Sequence, residues 1–129
     1  MNIEAHGLRE IATELPRLGF RGAKAIDPVI AEGAKFLAEQ WRRNAEQTSG
    51  EHGKHYPKSI DTERVVSTDI VFEVGPNPHK KQGRMSFEEG SVNQPPHLDG
   101  AKALDKVAPL IHKSVEIAKL QLGAGAVGI

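Results

Sequence analysis

The feature that most constrains this fold is an amphipathic stripe in the second quarter of the chain. Ile30, Ala34, Leu37, Trp41 and Ala45 recur at helical spacing, while Glu32, Lys35, Glu39, Arg42, Arg43 and Glu46 fill the opposite face. A stripe of about four turns predicts a helix that buries one side against another element. Asp27-Pro28 reads as its start, an N-cap acid followed by proline at the first helical position. Gly33 inside the stripe costs about 1 kcal/mol relative to alanine, which a close helix contact would explain. A shorter helix is expected before it, over residues 3–15, with Leu8, Ile11, Ala12 and Leu15 on one side and Pro16 and Gly19 as its stop.

After the stripe, QTSGEHGKHYPKS is polar and glycine-rich and reads as a loop. The period then shortens to two. Ile60 and Thr62 alternate with Asp61 and Glu63, and in Asp69–Gly75 the residues Ile70, Phe72 and Val74 share a face. A third run, Arg84–Glu88, sets Met85 and Phe87 on one side. These runs predict three short antiparallel strands, the last two joined by a long hairpin loop, GPNPHKKQG. Residues 90–100 read as extended around Pro95-Pro96, and Asp99 can cap a closing helix with Leu104, Val107, Ala108, Ile111, Val115, Ala118 and Leu122 in one stripe. Pro109 predicts a kink there or a later start. The expected architecture is α+β in one domain spanning residues 1–129: N-terminal helices, a three-stranded sheet and a C-terminal helix. The glycine-rich end, 123–129, reads as a flexible tail that frays or orders against a partner.

Charge narrows the function classes. The 17 Lys+Arg balance the 17 Asp+Glu, and by segment the counts are 7 against 7 in residues 1–50, 6 against 7 in 51–90 and 4 against 3 in 91–129. No segment is a basic arm or an acidic tail, which argues against nucleic-acid wrapping as the main activity. With no cysteine, a disulfide framework, a thiolate zinc site and a cysteine nucleophile are all excluded. The opening MNIEAHGLRE has early acids and no apolar core, so no signal peptide is expected, and no run approaches the roughly 18 apolar residues of a membrane span.

Catalytic patterns are absent. Glu51, His52 and His55 could meet a metal on a helix, but they lie among glycines with no second ligand pair. Glu88 and Glu89 would point to opposite faces of a strand, and no nucleophile elbow, P-loop or dinucleotide fingerprint occurs. No catalytic residue, cofactor or metal is expected. The one local charge excess is His79, Lys80, Lys81 and Arg84, with no acid between Gly75 and Ser86. It reads either as a solvated loop tip or as a salt-sensitive phosphate contact, which ring multiplicity would strengthen.

The order of elements carries a family resemblance. A long amphipathic helix leads to HYPKSI at Tyr56–Ile60, strands follow, and FEEGS at Phe87–Ser91 is succeeded by QPPHL at Gln94–Leu98 and AKAL at Ala101–Leu104. This arrangement resembles the tail-component family of long-tailed bacteriophages, the tail-completion or neck proteins of the head–tail junction. Phe87, Glu88, Gly90, Gln94 and Pro95 match its motifs best. The chain departs from the pattern at Pro96–Gly100, where the family carries an aromatic and a Pro-Ala-Leu helix start. The resemblance implies a non-enzymatic virion protein, made in the host cytoplasm and assembled with copies of itself into a ring, hexameric in this reading. Its neighbours would be head-closure or adaptor and tail-terminator rings. His79–Arg84 would border the channel through which DNA passes. The rival expectation is a small monomeric module that recruits a peptide or nucleic acid through the 75–86 loop.

Overall fold

The computed structural model describes residues 9–65, 72–92 and 94–127, and within these the side chains of 9–23 and 122–127 lie outside the description. The elements run α1 (Arg9–Thr48), α2 (Tyr56–Ser59), β1 (Ile60–Arg64), β2 (Phe72–Pro76), α3 (Ser86–Glu89) and α4 (Asp99–Val127).

Two long helices dominate. The stripe that begins at Ile30 is buried as expected and extends back to Ile26, so that Ile26, Ala34, Leu37, Trp41 and Ala45 are sealed from solvent. Their cover is Ala103, Leu104, Val107, Ile111 and Val115 of α4, all buried. Gly33 of α1 faces Ile111, and Trp41 faces Gly100, so the two helices run antiparallel. A Cβ on Gly33 would lie 2.6 Å from Ile111 Cγ1. Close helix approach therefore accounts for a glycine that would otherwise only weaken the stripe.

One helix, α1, stands where the prolines and Gly19 predicted two. It runs unbroken for 40 residues through Pro16, Gly19 and Pro28, about 60 Å at 1.5 Å per residue. A proline removes one backbone hydrogen bond, a local cost that at Pro28 is outweighed by burial of Ile26 and Ile30 on either side of it. Asp27 is not a cap either. Its carboxylate accepts two hydrogen bonds from the Arg64 guanidinium of β1, whose Cζ also sits 4.7 Å from the Phe72 ring centroid.

Among the described residues the sheet has two antiparallel strands, where three were expected. Ile60 pairs with Pro76, Thr62 with Val74 and Arg64 with Phe72. Phe72 and Val74 are buried, in line with the alternation, whereas Val66 and Asp69–Val71 lie outside the described residues. The run expected as a third strand is instead the helical turn α3. Its period-two appearance misleads because Phe87 and Glu88 are both turned inward, one onto an aromatic ring and one onto the start of α4. Gly90, at φ 87°, ends this turn where a Cβ would meet Pro96 N at 2.8 Å.

Because α3 is not a strand, GPNPHKKQG is not a hairpin loop. It is a β2–α3 connection folded into successive turns, with Lys80 N–H donating to Asn77 O at 3.0 Å and Gly83 N–H to Lys80 O at 3.1 Å. Gly83 packs so closely that its Cβ would fall 1.7 Å from Asn77 O. Of the expected tail 123–129, residues 123–127 continue α4, which also passes through the exposed Pro109, and residues 128–129 lie outside the described residues.

Asp61 ties the connection to the body. Its carboxylate accepts from Asn77 Nδ2 at 3.0 Å and Lys80 Nζ at 2.9 Å, with Arg42 Nη2 3.8 Å away. Partial burial pushes this carboxyl up, but the Asn77 and Lys80 hydrogen bonds and the Lys80 and Arg42 charges outweigh it and hold the group below its ordinary value. A depressed carboxyl stabilises the fold above the unfolded-state value of about 4 and loses that contribution as pH falls through the lower folded-state value. Urea unfolding from neutral to strongly acidic pH should therefore show wild type losing more stability below about pH 4 than Asp61→Asn. Parallel curves for the two proteins would remove Asp61 from the acid response.

Candidate functional site

Of the residues singled out by family resemblance, Glu88 is buried and Phe87 half-buried in one cluster. Phe87 stacks on buried Tyr56, ring centroids 4.5 Å apart, and His97 packs edge-on against Phe87 at 6.2 Å. Trp41 Nε1–H donates to Tyr56 Oη at 3.1 Å. Burial lifts the Tyr56 phenol well above the usual tyrosine range, with nearby Glu88 and Asp99 adding to the lift and the Trp41 hydrogen bond opposing it.

Glu88 is the polar centre of this cluster. Only 3 % exposed, it accepts from the backbone N–H of Gly100 through Oε1 and of Ala101 through Oε2, both at 2.9 Å. A carboxylate from α3 thus satisfies two orphan donors at the start of α4 and faces the positive end of its dipole. Asp99 beside it is fully buried; its Oδ2 accepts from the Thr48 hydroxyl at 2.7 Å and its backbone O from Asn44 Nδ2 at 3.0 Å. His97 Nδ1 lies 3.8 Å from the same Oδ2. The 94–98 segment is stitched to α3 by His97 N–H to Phe87 O and Leu98 N–H to Glu88 O, while Gln94 Nε2 donates to Ser86 O. Gly90 turns the chain and Pro95 is exposed. Phe87 and Glu88 thus anchor α4, and the surface nearby belongs to the turn closed by the Ser91–Gln94 bridge, with Val92 fully exposed at its tip.

The basic residues separate. Lys80 is paired with Asp61, while His79, Lys81 and Arg84 are exposed. Arg84 borders a hollow of about 500 Å³ that also includes Gln82, Ser86 and Gln94. His52 and Glu51 are exposed on the turn after α1, and among the described residues no group of three His, Asp or Glu side chains could hold a metal ion. Among these residues, too, no helix is long and apolar enough to cross a membrane.

A groove that the stripes did not predict opens between α1 and α4. It encloses about 650 Å³, with Val29, Phe36, Val107 and Leu110 on its apolar walls and Gly33 at the helix contact. Phe36 is 57 % exposed and Leu110 61 %. Ile117, seven residues beyond Leu110 and so on the same helix face, is exposed as well. Both groove residues lie off their helix's core stripe, which is the sequence signal that could have marked them. Both signs of charge border the groove, with Glu32 and Glu39 against Arg43 and Lys106.

No protein-family model, curated protein or solved structure matches this chain.

Proposed function

We propose that the chain is a non-enzymatic structural protein of the neck or tail of a long-tailed bacteriophage, forming a hexameric ring that completes the tail and joins it to the head. The observation that carries this reading is the open apolar groove between α1 and α4 on a chain of zero net charge. An apolar surface of this kind marks an interaction site, and a neutral chain packs against its own copies without strong repulsion.

A ring needs two different surfaces that meet head to tail. The groove is one. The other is the 91–98 turn, which presents Val92 and Leu98 to solvent on a segment fixed by α3. In this reading the turn of one copy enters the groove of the next, covering Phe36 and Leu110.

The test is location and joining. Particles assembled without this chain should accumulate as separate heads and tails. Supplying the wild-type chain should restore joining, whereas Leu110→Glu and Val92→Glu, both at exposed positions, should fail while folding normally. Normal infectious virions in the absence of the chain would overturn the reading.

A further inference from the structure

We infer that a composite basic surface, built from the turn after α1 and the β2–α3 connection together, binds the phosphate backbone of double-stranded DNA. The inference rests on the virion reading for the setting in which DNA is met, and on the geometry below for the contact itself.

Gln82 makes the surface. Held at φ 58°, it accepts from His55 N–H through Oε1 at 2.7 Å and donates through Nε2 to His52 O. One side-chain amide thus clamps two segments about thirty residues apart, at roughly the separation seen in the sequence numbering. Packing joins them a second time. A Cβ on Gly53 would lie 2.8 Å from Phe87 Cε1, and Phe87 lines the same hollow as Gln82 and Arg84.

The clamp gathers charge that is dispersed in the sequence. Residues 51–58 and 77–84 carry Lys54, Lys58, Lys80, Lys81 and Arg84 against the single acid Glu51. Lys80 is consumed by Asp61, but Lys54, Lys81 and Arg84 are exposed and have no acid in their own segments except Glu51. The hollow beside Arg84, bordered also by Gln82, Ser86 and Gln94, is lined among the described residues by no acidic side chain that would repel a phosphate. Of the aromatic rings at this end, Tyr56 is fully buried and Phe87, stacked upon it, is half-buried and alone reaches the hollow, so no run of exposed rings is presented. No platform for unstacked bases is therefore offered, and a duplex backbone fits better than a single strand.

The experiment uses the full chain and a fluorescently labelled mixed-sequence duplex, with anisotropy read from about 50 to 200 mM salt. Lys54→Gln, Lys81→Gln and Arg84→Gln should each lower the slope of log affinity against log salt by about 0.9. Lys113→Gln, an exposed site at the far part of α4, should leave it unchanged. Gln82→Ala should weaken binding although it removes no charge, with circular dichroism confirming that it stays folded, and an unchanged thermal transition in the charge variants keeps folding out of their comparison. The inference is overturned if the duplex is not bound, if Lys54→Gln behaves like Lys113→Gln, or if phosphatidylserine vesicles are bound in preference to DNA. Failure here with heads and tails still unjoined in the absence of the chain would remove only the DNA contact. Duplex binding alongside normal virions would remove only the virion role.

Discussion

Glu88→Ala is expected to destabilise the protein by about 3–6 kcal/mol, the combined loss of two charge-assisted hydrogen bonds at roughly 1.5–3 kcal/mol each. The wild-type carboxylate is buried and divides its two oxygens between Gly100 N–H and Ala101 N–H. Alanine leaves both donors facing a void at the start of α4, where no i−4 carbonyl exists to take them. It also removes a negative charge from the positive end of a 29-residue helix. Glu88→Gln retains one acceptor but turns an NH₂ toward the other donor, so its cost should fall between wild type and alanine. Urea denaturation gives the magnitudes, and hydrogen exchange in residues 99–103 gives the location, because the first turn of α4 should lose protection. A Glu88→Ala penalty below about 1 kcal/mol would mean that water caps the helix as well as the carboxylate does.

The importance of Glu88 was only half visible in the sequence. The string FEEGS stands out by resemblance, yet residue-level patterning placed it on a strand, because period-two alternation over five residues does not distinguish a strand from one helical turn. What decides the matter is non-local: α3 forms because Phe87 finds Tyr56 and Glu88 finds the N–H groups of 100 and 101. The long helices were legible because their stripes repeat over many turns, and the Phe72–Val74 alternation was legible for the same reason. The break expected at Pro16 does not occur, since α1 runs unbroken from Arg9 to Thr48 and one proline removes a single hydrogen bond of a long ladder. The Gln82 clamp had no sequence signature at all. A glutamine in a loop advertises neither its positive φ nor a partner about thirty residues away. The groove residues were legible in principle, as Phe36 and Leu110 are large apolar side chains outside the buried stripes. Neither shares a face with the core residues that define its helix's stripe.

The second large effect concerns Trp41, which joins α1, α2 and α4 at one point. Trp41→Ala should cost about 3–5 kcal/mol, through lost burial and the cavity left behind, and it strands the Tyr56 hydroxyl without its donor. Gly100 supplies the sharper test. A Cβ there would lie 2.7 Å from Cε2, Cζ2 and Cη2 of the indole, and the ring is fully enclosed, so it has nowhere to move. In the wild type, Gly100→Ala should therefore destabilise, since overpacking of about 1–3 kcal/mol exceeds the roughly 1 kcal/mol that alanine gains over glycine in a helix. In the Trp41→Ala background the clash is gone and only the helix term remains. The same substitution should then stabilise, by up to about 1 kcal/mol. A reversal of sign in a double-mutant cycle, measured in an osmolyte such as TMAO so that the weakened protein stays folded, isolates the indole–glycine contact from every other consequence of either change. If Gly100→Ala carries the same penalty in both backgrounds, the glycine answers to backbone geometry at the entry of α4 rather than to the tryptophan. The close approach of the two helices would then be a result of that geometry and not its reason.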